Sequence, residues 1–584
     1  MSATNQCQNC KNQFTIDSED LEFYEKVKVP SPTWCPECRM IRRLLFRNER
    51  FLFRRKDAVG GEPIFSGFPQ AVNLKVVGSR RWWSDEWDGV EYGRDYDFSK
   101  PFLVQFEELL KTLPIPAQSA FQTVNSDYCN NVGGAKNAYL CFGCGDIENS
   151  AYLVRGITVK ESFDLFEARH SELCYDGYMN DEAYRVFFSV NCEDARDVWF
   201  SRNLLGCSDC FGCVNLRNRS YHIFNKPYTK EAYHEFLKQY DLGSYQVIQK
   251  LKEEAHRFWA KHPMRSTLAI RVVNSTGEHI ENSKNLKNCY SVHESENLAY
   301  SQFVDPPATD SYDFTNWGGK VSRMYESTIC GEGCYDVKFS WECWPNCRAL
   351  EYSAFCRSSS DLFGCVGLRK KQFYILNKQY TEEEYKKLRE KIIQHMEDVP
   401  YVDQKNRVYK YGEFFPIEFS PFAYNETWAH DFFPLDKNEA QNKGFLWREA
   451  DLKEYKTTKR ASDLPDHIKD VSHDILDETI QCSGCEKAYR IIEMELNFLR
   501  QMNLPLPRLC PECRFKERFT FVNPPKLWPG KCQCAGTEDD RKKYTNAVPH
   551  FHGSDHCPND FETSYGPAKK DIIYCEKCYQ TEVI

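Results

Sequence analysis

Residues 210–233, CFGCVNLRNRSYHIFNKPYTKEAY, return 152 positions later as residues 362–385, LFGCVGLRKKQFYILNKQYTEEEY. Upstream, KNAYL (136–140) corresponds to KNCYS (287–291), and the offset stays between 149 and 152 throughout. The middle of the chain therefore holds two copies of one unit. Inside each copy, aromatic-bearing segments such as NAYLCF, NSAYLV, ESFDLF, ELCYDG and DVWFSR recur every 10 to 14 residues. Residue types alternate within them, and Gly, Asn, Asp and Ser fall between them, which predicts short strands joined by tight turns. Such spacing suits a β-solenoid, in which each coil buries its face against the next. A β-sandwich is the rival fold. After each copy comes a helical pattern. YTEEEYKKLREKIIQHM opens with a Thr381–Glu384 capping box, while YTKEAYHEFLKQY and GSYQVIQKLKEEAHRFWAKH follow the first copy. Helices there are expected to cover the open end of a stack.

Fifteen of the 28 cysteines lie in this array. CSDCFGC (Cys207, Cys210, Cys213) has the look of an iron–sulfur run, but the second copy carries Ser359 and Leu362 at the first two equivalent positions. Only Cys365 matches Cys213, so the expected role is a small apolar residue stacked in a narrow interior.

The ends read differently. Cys7, Cys10, Cys35 and Cys38 form C-x2-C, a spacer of 24, then C-x2-C, and Cys482, Cys485, Cys510 and Cys513 repeat that spacing without a gap. The two segments match beyond the cysteines at a constant offset of 475: Phe23 with Phe498, Pro30 with Pro505, and CPECR identical in both. Two thiolate knuckles make a closed tetrahedral site with no open position for water, so two structural zinc ions are expected. A third cluster is less regular. Cys575 and Cys578 form one knuckle and Cys557 ends another, but Ser554 stands where its partner should be. The missing donor must come from Cys534, Cys532, His550, His552 or His556, and a mixed third zinc site is expected.

The first ribbon also carries arginines. If a helix begins after Cys38, then Arg39, Arg43, Arg47, Arg50 and Arg54 fall within about 80° on the helical wheel, an outward stripe able to track phosphates. The second ribbon keeps Arg514 and Arg518 but has Glu517 and Val522 where the first has Arg42 and Arg47. The alternative is an arginine face docked on an acidic body of the same chain, whose net charge is -9.

No stretch approaches the roughly 18 apolar residues of a membrane span, and the N-terminus lacks a signal-peptide pattern. A cytoplasmic setting is expected, with the cysteines as thiols or thiolates. The connector at 57–120 holds Trp82, Trp83 and Trp87 beside Asp85, Glu86 and Asp88, either a sugar platform or ordinary packing. There is no Ser-His-Asp order, phosphate loop or HExxH. Asp164 and Asp313, at matched positions in the two copies, are the best acid–base candidates, against a turn-capping alternative.

The segments are 1–56 (first ribbon and basic helix), 57–120 (connector), 121–262 and 263–397 (array copies with helices), 398–475 (Pro- and aromatic-rich connector), 476–524 (second ribbon) and 525–584 (third module). Across nearly all of them, WCPECR, WWSDEWD, LFGCVGLR, ILNKQYT, GEFFP, SPFAYNET, FETSY and YCEKCYQ make the chain resemble a group of zinc-ribbon repeat proteins of small-genome, candidate-phylum bacteria. That group has no established activity, and some members are described as CaiB/BaiF-type CoA transferases; Ser554 departs from its third ribbon. The function expected is a non-catalytic zinc scaffold whose N-terminal ribbon contacts nucleic acid without sequence preference. A protein-binding scaffold and an enzyme acting on carbohydrate or CoA esters are the alternatives.

Overall fold

The computed structural model describes residues 2–449, 456–535 and 544–584. The chain gathers into two compact units. One comprises residues 1–118, 267–449 and 524–527, and the other comprises 119–266, 450–523 and 528–584. Each unit holds one array copy. The partnering is crossed along the sequence, because the N-terminal ribbon belongs with the second copy and the two C-terminal modules belong with the first.

Each copy is a β-solenoid of parallel strands. In the first copy, partners lie twelve residues apart, as in Val132↔Cys144 and Ala183↔Ala195. The second copy mixes eleven, twelve and thirteen, as in Val273↔Lys284, Leu350↔Leu362 and Leu298↔Ser311. The alternation expected from the sequence gives way to a period of three. A positive φ recurs at every third residue, through Asn137, Leu140, Gly143, Asp146, Asn149 and Tyr152 onward. A left-handed residue after every two extended ones turns the chain a corner, so a twelve-residue coil has four short sides. Asn and Asp tolerate that conformation best and are frequent at these corners, where they also ladder from coil to coil, as in Asn191–Asn203–Asn215.

The residue after each corner points inward. Cys129, Val132, Ala135, Ala138, Cys141, Cys144 and Ile147 line the interior at that spacing. Serines take the same positions, and each hydroxyl is satisfied twice. Ser150 Oγ donates to the Glu148 carbonyl at 2.8 Å and accepts the Ser162 N–H at 3.1 Å. A cysteine does much the same more weakly, with Cys174 Sγ donating to the Glu172 carbonyl at 3.3 Å. Burial pushes the Cys174 thiol up to about 12, as befits an inert core residue. Cys207, Cys210 and Cys213 are three successive inward residues in one copy, and Cys365 is inward in the other.

The last strands of each array close in a hairpin, Ile223↔Lys226 and Ile375↔Lys378, and a helix follows. Thr381 and Glu384 form the capping box expected for Glu382–Asp398, and Thr229 and Ser244 cap the helices Lys230–Leu237 and Tyr245–Trp259. The connector after residue 398, whose Pro- and aromatic-rich sequence suggests an extended wrap along the array, is not simply extended. Short helical turns at Ile417–Phe419 and Trp428–Phe432 break it. Among the described residues, no helix is long and apolar enough to cross a membrane.

Candidate metal centres and the ribbon interfaces

Both ribbons build their cysteine sites alike. A hairpin, Ala3–Gln6 with Gln13–Ile16, carries Cys7 and Cys10. Cys35 is the N-cap of helix Pro36–Leu44 and Cys38 lies in its first turn; Cys510 and Cys513 stand the same way on helix Pro511–Phe519. Proline at the first helical position fits an amide that would have no intrahelical partner. The four sulfurs converge in each case. Cys10 and Cys35 approach to 3.8 Å, Cys485 and Cys510 to 3.6 Å, and each set could hold a metal ion. The Cys35 N–H donates to Cys7 Sγ and the Cys510 N–H to Cys482 Sγ, both at 3.2 Å. Burial works against the Cys482 thiolate, but the N–H groups of Cys510 and Gly484 outweigh it and bring the thiol down to about 7.

In the C-terminal module, Cys532, Cys557, Cys575 and Cys578 converge. Cys532 takes the place that Ser554 leaves open, and it accepts the Cys575 N–H at 3.1 Å, the same bond that marks the first cysteine of both ribbons. Cys534, the other cysteine among the candidates, lies outside this set and converges with His550, His552 and Cys578. His556 is exposed and belongs to neither group. Among the described residues, Cys207, Cys210 and Cys213 form no converging donor set.

The arginine stripe requires correction. The helix ends at Leu44, so Arg47, Arg50 and Arg54 are not on it, and the arginines it carries face inward. Arg39, Arg42 and Arg43 are at most 1% exposed. Arg39 Nη2 lies 2.8 Å from Asp313 Oδ2 and Arg43 Nη1 3.0 Å from Asp313 Oδ1. Arg42 bridges Glu326 at 3.0 Å and Glu413 at 2.9 Å, and stacks on Trp34. Arg47 pairs with Glu49 under the Trp428 ring, and Arg50 makes a two-point contact with Asp431 at 2.7 and 3.0 Å. Only Arg54, on the strand Phe53–Lys56, is exposed. Burial works to discharge Arg39, and the Asp313 carboxylate overrides it, holding the guanidinium well above its ordinary range.

The second ribbon repeats the Asp313 part of this contact. Arg514 and Arg518, the counterparts of Arg39 and Arg43, reach Asp164 at 2.7 and 3.0 Å. Glu495, counterpart of Asp20, accepts the Tyr152 hydroxyl at 2.9 Å, as Asp20 accepts that of Tyr300 at 3.1 Å. Phe498 packs on Phe163 as Phe23 stacks on Tyr312. Asp164 and Asp313 are therefore not acid–base groups on an open strand row. Each is fully buried beneath a ribbon and neutralised by two arginines of one helix. Most aromatics that mark the repeats lie on the outer face, where Phe163 and Tyr312 meet a ribbon and Phe211 meets a helix, while Phe314 and Tyr374 are interior.

The tryptophan cluster is packed as well. Trp82 and Trp87 are buried and Trp83 half-buried, with Arg369 over Trp82 and Trp87 and Arg357 over Trp82 and Trp83, so the cluster packs against arginines. No protein-family model, no curated protein and no solved structure matches this chain, so its reading rests on these contacts.

Proposed function

We propose that the protein is a non-catalytic scaffold, stapled by zinc, that binds a protein partner along its solenoid surfaces. The observation that carries this reading is the duplicated burial of Asp164 and Asp313 under ribbon arginines. It uses up, in both units, the carboxylates best suited to catalysis and the arginines best suited to phosphate. The ribbons then act as internal clamps. All-cysteine tetrahedral sets with N–H groups donated to sulfur suit zinc, a closed-shell ion with no need of an open coordination position. Nucleic-acid binding through the first ribbon keeps only Arg54 from its original set.

The test uses the full chain at low salt against single- and double-stranded nucleic acids and a polysaccharide panel. No retention and no cleavage are expected. A protein recovered by crosslinking from the native source should then re-form a stoichiometric complex from purified components. Salt-sensitive nucleic-acid binding, or cleavage of any polymer, would overturn the reading.

A further inference from the structure

The geometry points to a fourth metal ion, held by Cys534, His550, His552 and Cys578, so that the C-terminal module carries a two-metal centre bridged by the Cys578 thiolate. Cys578 is the one residue shared by both converging groups, and the donor atoms of each group lie within 4.8 Å of one another. Cys534 Sγ stands 3.3 Å from His550 Nδ1 and 3.3 Å from His552 Nε2, and Cys578 Sγ stands 3.3 Å from His552 Nε2. On the other side, Cys557 and Cys575 are 3.9 Å apart. Ligands at about 2.0–2.3 Å from a tetrahedral zinc are separated by edges of about this length.

An independent observation comes from the far nitrogen of each imidazole. His550 Nε2 faces Glu582 Oε2 at 3.0 Å, and His552 Nδ1 faces the Asp555 carbonyl at 2.7 Å. An acceptor there holds the ring proton on the outer nitrogen and leaves the inner one with a lone pair aimed at the cysteines, the arrangement that orients metal-bound histidine. Glu582 is itself fixed. Its side chain is fully buried, and its other oxygen accepts the Tyr544 hydroxyl at 2.5 Å and the Ala547 N–H at 2.7 Å. The Asn546 amide donates to Cys534 Sγ at 2.9 Å, as expected when that sulfur is a thiolate.

Charge favours the pair. Four thiolates around one dication leave two negative charges in a buried site. A second dication that shares Cys578 and adds one thiolate and two neutral imidazoles leaves one.

This inference rests on the reading of the cysteine sets as zinc sites, and a metal count on the full-length protein separates the two. Four zinc ions per chain are expected. Three would overturn the shared centre while sparing the zinc reading, and none would overturn both. Cys534→Ser and His550→Ala should each lower the count by one. Zinc X-ray absorption of the wild-type chain should show a metal–metal path that these variants lose. Because such variants can disturb folding, Glu582→Gln offers a gentler check. It should weaken one ion of the four by about 10–100-fold in a chelator competition. Four equally retained ions in Glu582→Gln together with no metal–metal path in the wild type would contradict the bridge.

Discussion

Position 42 of the first ribbon is arginine and its counterpart in the second, position 517, is glutamate; around that exchange two matching interfaces part company. In the unit of the first ribbon, Arg42 fills the space beside Glu326 and Glu413, and three arginines and three carboxylates are sealed together. In the other unit, the carboxylate one coil beyond Asp164 is Asp176. It pairs with Arg518 at 3.2 Å and Lys252 at 2.7 Å, and Glu517 is turned to solvent. There a cleft of about 470 Å³ opens, lined among others by Asp176, Lys252, His256, Trp259, Glu517 and Arg518. The shared pairs are those that dock the ribbon. The residue that differs decides only whether the edge of the interface is filled.

Changes that strand buried charge should cost most. Arg42→Glu would set a third carboxylate against Glu413, left with only Thr33, and Glu326, left with its longer contacts to Arg39 and Arg43, and should destabilise its unit by about 3–5 kcal/mol. Denaturant unfolding followed by hydrogen exchange would read this unit by unit, and a loss below about 1 kcal/mol would show that Arg42 is not a buried partner. Asp164→Ala should cost its own unit about 3 kcal/mol, the lower end of the same range, because Arg514 keeps Glu495 and Arg518 keeps Asp176. Replacing Asp164, Glu495, Arg514 and Arg518 together by apolar residues of similar volume, with Asp176 left to Lys252, should restore most of that loss.

The converse exchange, Glu517→Arg, should destabilise by no more than about 1 kcal/mol, since it sets a cation near Lys252, Arg514 and Arg518 but solvent screens an exposed side chain. It should also narrow the cleft. A smaller effect concerns acid. Burial works against the Asp176 carboxylate, but Lys252 and Arg518 hold it at about 2, below the ordinary 3.8. Its folded pKa is depressed, so its stabilisation is complete above pH 3.8 and is lost as pH falls through 2. Asp176→Asn should remove that part of the acid slope from its own unit alone, and an unchanged slope would count against the pairing.

The sequence carried the metal knuckles, both duplications, the capping box at Thr381 and the inward cysteines. It did not carry the three-residue period, because the left-handed corners accept Leu140, Tyr152, Arg155 and Phe188 as well as Asn and Gly, which erases the turn signal. Aromatics at regular intervals then looked like the strand core. Most of them are instead on the outer face, part of which each ribbon covers. The ribbon arginines were misplaced for a related reason. A helical wheel shows that residues share a face, not what that face meets. One signal was available: Arg39 and Arg43 persist as Arg514 and Arg518 while their neighbours change, and Asp313 persists as Asp164. Those retained residues are the docking contact. The identity of Cys532 as the third site's missing ligand could not be read from spacing, because it lies 25 residues before Cys557 with Cys534 equally near.

The most direct test of the clamp is chemical access to its arginines. The native, metal-loaded chain would be treated with an arginine-selective dicarbonyl reagent, and modification followed by peptide mass spectrometry. Arg54 and Arg257, both exposed, should react quickly, while Arg39, Arg43, Arg514 and Arg518 stay protected until a chelator removes the metal. Reaction of Arg43 and Arg514 at the rate of Arg54 in the native protein would contradict the burial of both ribbons on their solenoids.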